Sequence, residues 1–494
     1  MALEMEIKNI KSIKNLKFTF PLEKGLYAIT GENGSGKSTL ISCASTVFYQ
    51  VPMFDYFGRP KDASIVFNLD ETIRGWSCDG KQWSQLSSKD KMPLNGFYEG
   101  SIIFGNRFKD KSLSALRSLD KVGRKDLTTA SEFVKNNLGL ILRDDREHYS
   151  ELYILNRNVA TSLELSGVSY FCKTPNDTYI SQARMSTGEN LLVSILHSLK
   201  IIYDKRKKKN DGRPCIVFLD EIELALHSSA LRRLVIFLKN ISNELNLAIF
   251  FSTHSIELLR EIKAQNIYYL QRNIDNSIFL TNPCYPAYAT RNLYSDDGYG
   301  NDMVILVEDD LAKIIVERIM LEKSLINNIR VKVLPTGGWT NTIMMAYDVI
   351  SSNLLIKGTK LAIILDRDIE SYVPDFISNH KQYSGLKFDY LPIPSLEKYI
   401  RDNLYVKHDN KLYNILNTYV FQKRPLNTII EGYNRDNKDE DLNGKIFYGY
   451  LLNELKSMRK DREDLVEVIV KYIMENDNDR IETLSIYIKN KIED

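Results

Sequence analysis

The stretch Gly31-Glu32-Asn33-Gly34-Ser35-Gly36-Lys37-Ser38 decides the fold. It has the form G-x-x-x-x-G-K-S. The apolar run before it, Leu26-Tyr27-Ala28-Ile29-Thr30, predicts a buried strand, and Thr39-Leu40-Ile41 after it opens a helix. Strand, loop and helix in that order make a phosphate-binding loop. The glycines let backbone N–H groups close around phosphate oxygens, and the helix N-terminus adds partial positive charge. Asn33, Gly34, Ser35, Gly36, Lys37, Ser38 and Thr39 are therefore the expected nucleotide contacts. Lys37 is placed to reach the β- and γ-phosphates, and Ser38 to hold Mg²⁺.

The chain has 494 residues, enough for two to four domains. Its net charge of +2 excludes a general polycation, so any nucleic-acid surface must be a local patch. Five cysteines without C-x-x-C spacing argue against a disulfide framework or a zinc module and fit a reducing, cytoplasmic setting. No apolar run of signal-peptide type opens the chain, and none has the length of a membrane span.

Alternating residues at Met5–Ile10 and Leu16–Phe20 predict a hairpin ahead of the loop. From Val51 to about Asn176 the signal is weaker. Ser64–Leu69 and Ser101–Phe104 are expected strands, and Asp126–Leu142 an expected helix. Arg184-Met185-Ser186-Thr187-Gly188-Glu189-Asn190 then leads into an apolar helix, Leu191–Ile202. A Ser followed by a Gly at a helix start can grip an anion, although ordinary capping explains such a pair more often than not. The basic run Asp204–Asn210 is expected to be a solvated loop, with a contact to a nucleic-acid phosphate backbone as the alternative.

Cys215-Ile216-Val217-Phe218-Leu219 is a central parallel strand in pattern, delivering Asp220 and Glu221 to the sheet edge. Asp220 would hold Mg²⁺ through water, and Glu221 would orient the attacking water. A second buried run, Ala248–Thr253, ends at His254, where a γ-phosphate sensor is needed.

Phosphate loop, Ser-x-Gly-Glu signature, Asp-Glu strand and histidine, in this order, resemble ABC-type ATPase heads, the group that includes SMC proteins and DNA-repair ATPases. The resemblance covers about residues 1–280, with an insertion at about 51–176. It implies ATP as ligand and a head-to-head homodimer in which Ser186 and Gly188 touch ATP bound to Lys37 of a second subunit. It also implies a γ-phosphate-sensing glutamine, for which Gln50, Gln82 and Gln85 are available. Glu223, Leu226 and His227 resemble the D-loop pattern D-E-P-E-x-x-L-H-P, with Ile222 and Ser228 in place of its prolines.

Residues 281–301, with Pro283, Pro286, Gly298 and Gly300, are an expected linker. Strands and helices then alternate: strands at Val304–Val307, Arg330–Leu334, Leu361–Leu365 and Lys387–Leu391, helices at Lys313–Glu322 and from Thr342. This predicts a small parallel α/β domain. Acids at the ends of parallel strands converge on one sheet edge. Glu308, Asp366, Asp368 and Glu397 would make an oxygen-rich pocket for Mg²⁺ or Mn²⁺, with Glu308, Asp366 and Asp368 as the metal ligands. Two ions there can drive phosphodiester hydrolysis, with Lys398 neutralising the phosphate.

That pattern resembles a Toprim domain, and a head followed by Toprim is similar to the OLD family of nucleases, including the nuclease of Gabija antiphage systems and OLD-like effectors linked to retrons. The expected fold is α/β: an ABC-type ATPase head at 1–280, Toprim at 302–403, and a helical C-terminal region at 404–494. Toprim often places a glycine after its first acid and a second acid four residues on. Asp309 and Ala312 stand there, leaving Asp309 or Asp310 as substitutes. The resemblance implies an ATP-regulated, metal-dependent DNA endonuclease or nickase, with DNA, a second copy and a further component of a defence system as partners. The alternatives are a repair or recombination ATPase and a DNA-binding regulator, each with a non-catalytic Toprim.

Overall fold

The computed structural model describes all residues except 49–52, 71, 87–91, 101–112, 166–167, 210, 292–299, 437–440, 477 and 494. The chain divides into two compact units, Met1–Ser295 and Asp296–Asp494.

The first unit is built on a sheet whose described strands run in the order Ile278–Thr281, Ile267–Arg272, Gly25–Gly31, Leu247–Ser252, Cys215–Leu219, Asn95–Glu99. All neighbours are parallel except the Ile278–Thr281 edge. Its apolar runs are continuous because both faces are covered. Leu26, Ala28, Val217, Leu219, Ile249 and Phe251 face one core with Leu192, Leu196 and Leu199 of the helix Thr187–Lys209 and Leu231, Leu234 and Leu238 of Ser228–Leu245. Their neighbours Tyr27, Ile29, Ile216, Phe218, Ala248 and Phe250 face the other. There they meet the helix Lys37–Ser45 and an antiparallel sheet ordered Ile13–Pro21, Ala2–Ile10, Ala63–Leu69, Thr72–Cys78, Trp83–Gln85. A second antiparallel sheet joins Leu127–Thr129, Leu152–Leu155, Tyr170–Lys173 and Tyr179–Ser181.

Three local expectations differ from the structure. The helix predicted at Asp126–Leu142 is a strand at Leu127–Thr129 and a helix only from Glu132 to Arg143. Two β-branched threonines favour the strand, which pairs with Leu152–Leu155. The basic run is helical as far as Lys209 rather than a loop. Arg206 there donates to the carbonyls of Asp211 (2.7 Å) and Arg213 (2.8 Å), while Lys207 pairs with Glu244 at 3.1 Å. Within the expected linker, the helix Pro286–Thr290 belongs to the first unit, with Ala287 and Ala289 buried. The strand expected at Ser101–Phe104 lies outside the described residues.

The second unit has a parallel sheet ordered Val331–Pro335, Met303–Val307, Lys360–Leu365, Asp389–Tyr390. Val304, Leu306, Ile363 and Leu365 pack with Ile343 and Ala346 of the helix Trp339–Ser351. The alternate positions Met303, Ile305, Val307, Ala362 and Ile364 are buried as well. Helices at Asn410–Tyr419, Leu426–Asp436, Lys445–Ser457, Arg462–Asn476 and Asn478–Glu493 complete the unit. The Tyr487 hydroxyl donates to the carbonyl of Lys387 at 3.2 Å, and Arg318 pairs with Glu467 at 2.7 Å. No break falls at 403, because the helix Leu396–Arg401 runs on into a π-helical turn, Asp402–Val406.

Candidate functional site

The phosphate loop occupies the C-terminal end of Gly25–Gly31. A Cβ on Gly31 would lie 2.3 Å from the Leu270 carbonyl oxygen, so the loop leaves the sheet through a gap only glycine fits. Gly34 and Gly36 have φ of 79° and 97°, a region that favours glycine. Lys37 Nζ donates to the carbonyls of Gly31 (3.0 Å) and Glu32 (2.9 Å), folding the ammonium back across the loop it would share with phosphates. Burial pushes Lys37 down to about 8, against the pull of Glu221, Asp220, Glu223 and Glu32. Ser35 is buried, and its hydroxyl has no hydrogen-bond partner among the described residues; neither has that of Thr30. Two orphaned buried hydroxyls beside such a loop are what a ligand with many acceptor oxygens would satisfy. Thr39 is buried in the first turn of the helix, and Asn33 is exposed at the loop tip.

Two neighbouring strands bring the rest. Asp220 is buried at the end of Cys215–Leu219, where burial pushes its carboxyl up while bonds from Ser252 and Ser38 oppose the shift. Ser252, the last residue of Leu247–Ser252, donates its hydroxyl to Asp220 Oδ1 and accepts the backbone N–H of Glu221 at 2.9 Å. Glu221 sits in a left-handed conformation (φ 52°, ψ 49°), unusual for a residue with a Cβ, and that bond helps to hold it. The backbone N–H of His254 donates to Glu223 Oε1 at 2.8 Å. Burial and the Lys37 charge push His254 down to about 4, so the imidazole is neutral at pH 7. Lys37, Ser38, Asp220, Glu221 and His254 thus share one sheet edge. Ser252 carries no motif of its own beyond being a polar residue that ends an apolar run, and the D-loop resemblance that includes Glu223 does not foretell its bond to His254.

Ser186 has a local use. Ser186 donates its hydroxyl to Glu189 Oε2 (2.7 Å), Glu189 accepts the Ser186 N–H (2.9 Å), and the Glu189 N–H returns to the Ser186 hydroxyl (3.3 Å). This is a capping box, locked further by Tyr149 donating to Glu189 at 2.6 Å. Of the candidate glutamines, Gln85 is exposed on the edge strand Trp83–Gln85, Gln82 is exposed just before it, and Gln50 lies outside the described residues.

In the second unit, Glu308 ends Met303–Val307 and Asp366 ends the adjacent Lys360–Leu365. The Asp366 N–H donates to Glu308 Oε1 at 2.8 Å. The turn Thr336-Gly337-Gly338 wraps the same residue, with both glycine N–H groups donating to the Glu308 carbonyl (2.8 and 3.0 Å). Glu308 and Asp366 are 9% and 6% exposed, and Asp366 Oδ1 has no hydrogen-bond partner among the described residues. Burial first, then surrounding carboxylates, push Glu308 up to about 7 and Asp366 up to about 8. Burial likewise raises Glu397. Lys398 Nζ lies 3.6 Å from Asp368. Asp309 caps the helix Asp310–Glu322 by accepting the Ala312 N–H at 2.8 Å, and its charge still acts on Glu308, Asp366 and Glu397. Asp310 turns instead to Arg462 at 3.8 Å.

An orphaned buried carboxylate oxygen amid mutually repelling acids fits a hard cation. Glu308, Asp366 and Asp368 would hold it. Among the described residues, however, no three acidic, histidine or cysteine side chains are arranged as a ready metal-binding group.

The fold and the first site define an ABC-like P-loop ATPase head. A family model described as an AAA domain matches residues 4–265, and the chain belongs to that family. The methionine import ATP-binding protein MetN 1 of Enterococcus faecalis is 24% identical over 263 residues, covering 53% of this chain and 56% of that protein. MetN of Escherichia coli K12 is 22% identical over 255 residues, covering 52% and 56%. The chain thus spans about half the length of the curated relatives it matches. Among solved structures, the SMC head domain from Thermotoga maritima is similar at 16% identity and a TM-score of 0.31, covering 57% of this chain and 99% of that one. An Smc head derived from Pyrococcus furiosus, bound to the C-terminal domain of ScpA, has 15% identity and a TM-score of 0.35, covering 59% and 98%. No helix among the described residues is long and apolar enough to cross a membrane.

Proposed function

We propose that the protein is an ATP-regulated, metal-dependent DNA endonuclease or nickase. The observation that carries the reading is the Glu308–Asp366 pair, two buried carboxyls on adjacent parallel strands with one oxygen unpartnered. Carboxyls so buried are destabilising unless something positive joins them. A bound Mg²⁺ or Mn²⁺ would polarise a phosphodiester oxygen and lower the pKa of a water. The chain's own part is to fix Glu308 through the Asp366 N–H and to keep Lys398 beside Asp368, ready to offset phosphate charge.

In the first unit, Lys37 and Ser38 would grip ATP, and Asp220, steadied by Ser252, would hold its Mg²⁺. Glu221 would orient the attacking water, with neutral His254 donating to the γ-phosphate. In a homodimer, Ser186 and Gly188 would meet the partner's nucleotide. A role in antiphage defence in the cytoplasm, with a second component, rests on the resemblance to OLD-like effectors.

The second reading is a DNA-binding or repair ATPase whose second unit does not cut. The lack of any three-ligand group among the described residues favours it. Incubating the protein with supercoiled and linear DNA, with Mg²⁺ or Mn²⁺ and with or without ATP, separates the two. Metal-dependent nicking or linearisation supports the first; retarded but intact DNA supports the second.

A further inference from the structure

The helix Lys445–Ser457 begins against the acidic pocket. A Cβ on its N-cap, Gly444 (φ 71°), would lie 2.2 Å from the Glu397 carbonyl oxygen and 2.9 Å from the Lys398 nitrogen. Only glycine allows that approach. Buried Asp441 fixes the turn by accepting the N–H groups of Ile446 (3.2 Å) and Phe447 (2.9 Å) and the Tyr433 hydroxyl (3.2 Å). The first turn of this helix is therefore braced on the segment that carries Glu397 and Lys398.

Tyr448 lies in that turn. It is 6% exposed, and its hydroxyl has no hydrogen-bond partner among the described residues. Burial raises it well above the ordinary phenol range, so it remains a protonated donor, and the charges of Glu397, Arg462 and Asp309 act on it. The Lys445 charge acts on Glu397 in turn. A buried donor left unpaired destabilises a fold, and phenylalanine would fill the same space without that cost. A tyrosine here therefore implies an acceptor that arrives from outside.

We propose that Tyr448 is a phosphate-binding residue of the second unit's site, donating its hydroxyl to a non-bridging oxygen of a DNA phosphodiester seated at the Glu308–Asp366 carboxyls. Lys398 beside Asp368, and Lys445, whose charge acts on Glu397, add positive charge near these acids, which suits a phosphate. The inference rests on the nuclease reading, and it gives the C-terminal helices a part in the site.

The test compares wild type with Tyr448→Phe. Plasmid cleavage is followed in Mg²⁺ with and without ATP, binding of a short labelled duplex in Ca²⁺, ATP hydrolysis, and thermal unfolding. Tyr448→Phe should lose about ten- to a hundredfold in kcat/KM for cleavage, the effect of one hydrogen bond to a charged group. ATP hydrolysis should be unchanged and Tm equal or higher. An active wild type matched by Tyr448→Phe overturns the assignment and leaves the nuclease reading standing. A lowered Tm, marking the hydroxyl as structural, overturns it too. If wild type binds duplex without cutting it, weaker duplex binding by Tyr448→Phe supports the assignment and equal binding overturns it. A wild type that neither cuts nor binds overturns both.

Discussion

Ser252 donates its hydroxyl to the Asp220 carboxylate, tying the end of one central strand to the end of the next. The same oxygen accepts the N–H of Glu221, so one small side chain positions both acids of the nucleotide site. Ser252→Ala should cost about 1.5–3 kcal/mol, because a buried carboxylate loses a charged hydrogen bond. Thermal unfolding measures that loss. ATP hydrolysis should fall with it, and Ser252→Thr should recover part of both. Normal turnover by Ser252→Ala would refute the positioning role.

Lys37 and Glu221 should separate binding from hydrolysis. Lys37→Ala removes the ammonium that crosses the loop, and nucleotide affinity should collapse. Glu221→Gln preserves shape and should bind ATP while hydrolysing it at least about a hundredfold more slowly, the usual scale for losing a general base. Fluorescent-nucleotide titration and phosphate release distinguish the two. A Glu221→Gln variant with wild-type turnover removes the assignment.

Because Ser186 is satisfied by its own Glu189, a role across a dimer needs a test that capping cannot mimic. Ser186→Ala alone should lose about 1 kcal/mol of helix capping. If Ser186 also serves the partner's ATP, mixing inactive Lys37→Ala with inactive Ser186→Arg subunits should restore hydrolysis. Each mixed dimer then contains one intact composite site. Absence of recovery, or a monomer by light scattering both with and without ATP, argues for capping alone.

The central strands were legible because Cys215–Leu219 and Leu247–Ser252 are unbroken apolar runs that end in polar residues, a pattern both faces of a covered sheet impose. Glu308 and Asp366 were legible for the same reason. The rest depends on partners far along the chain. Ser252 meets Asp220 across 32 residues, and nothing local marks a serine as a bridge. Leu127–Thr129 is a strand because Leu152–Leu155 is there to pair with it. Tyr448 sits in a helix without motif, and its significance lies in a bond it does not make. Ser186-x-x-Glu189 shows the opposite difficulty, where one short pattern encodes a cap and an anion site alike.

Asp366→Asn and Glu308→Gln should each abolish DNA cleavage while leaving ATP hydrolysis near wild type. Nucleotide-free melting supplies a second readout. Mg²⁺ should raise the Tm of the wild type, since a ligand bound only by the folded state stabilises it. EDTA should reverse the gain, and Asp366→Asn should show neither change. Equal Mg²⁺ shifts in wild type and variant would place the ion elsewhere.

The phosphate-loop strand Gly25–Gly31 pairs on one side with Leu247–Ser252 and on the other with Ile267–Arg272. Both neighbours emerge from the ribosome more than two hundred residues after it. At ordinary synthesis rates the strand waits about 10–40 s with both edges bare. The hairpin Ala2–Ile10 with Ile13–Pro21 can form at once, whereas the nucleotide site has no scaffold until the segment that ends in His254 has been made. Truncated or stalled chains would then carry a complete phosphate-loop motif, bind no nucleotide, and present an apolar strand to whatever chaperone or aggregate reaches it first.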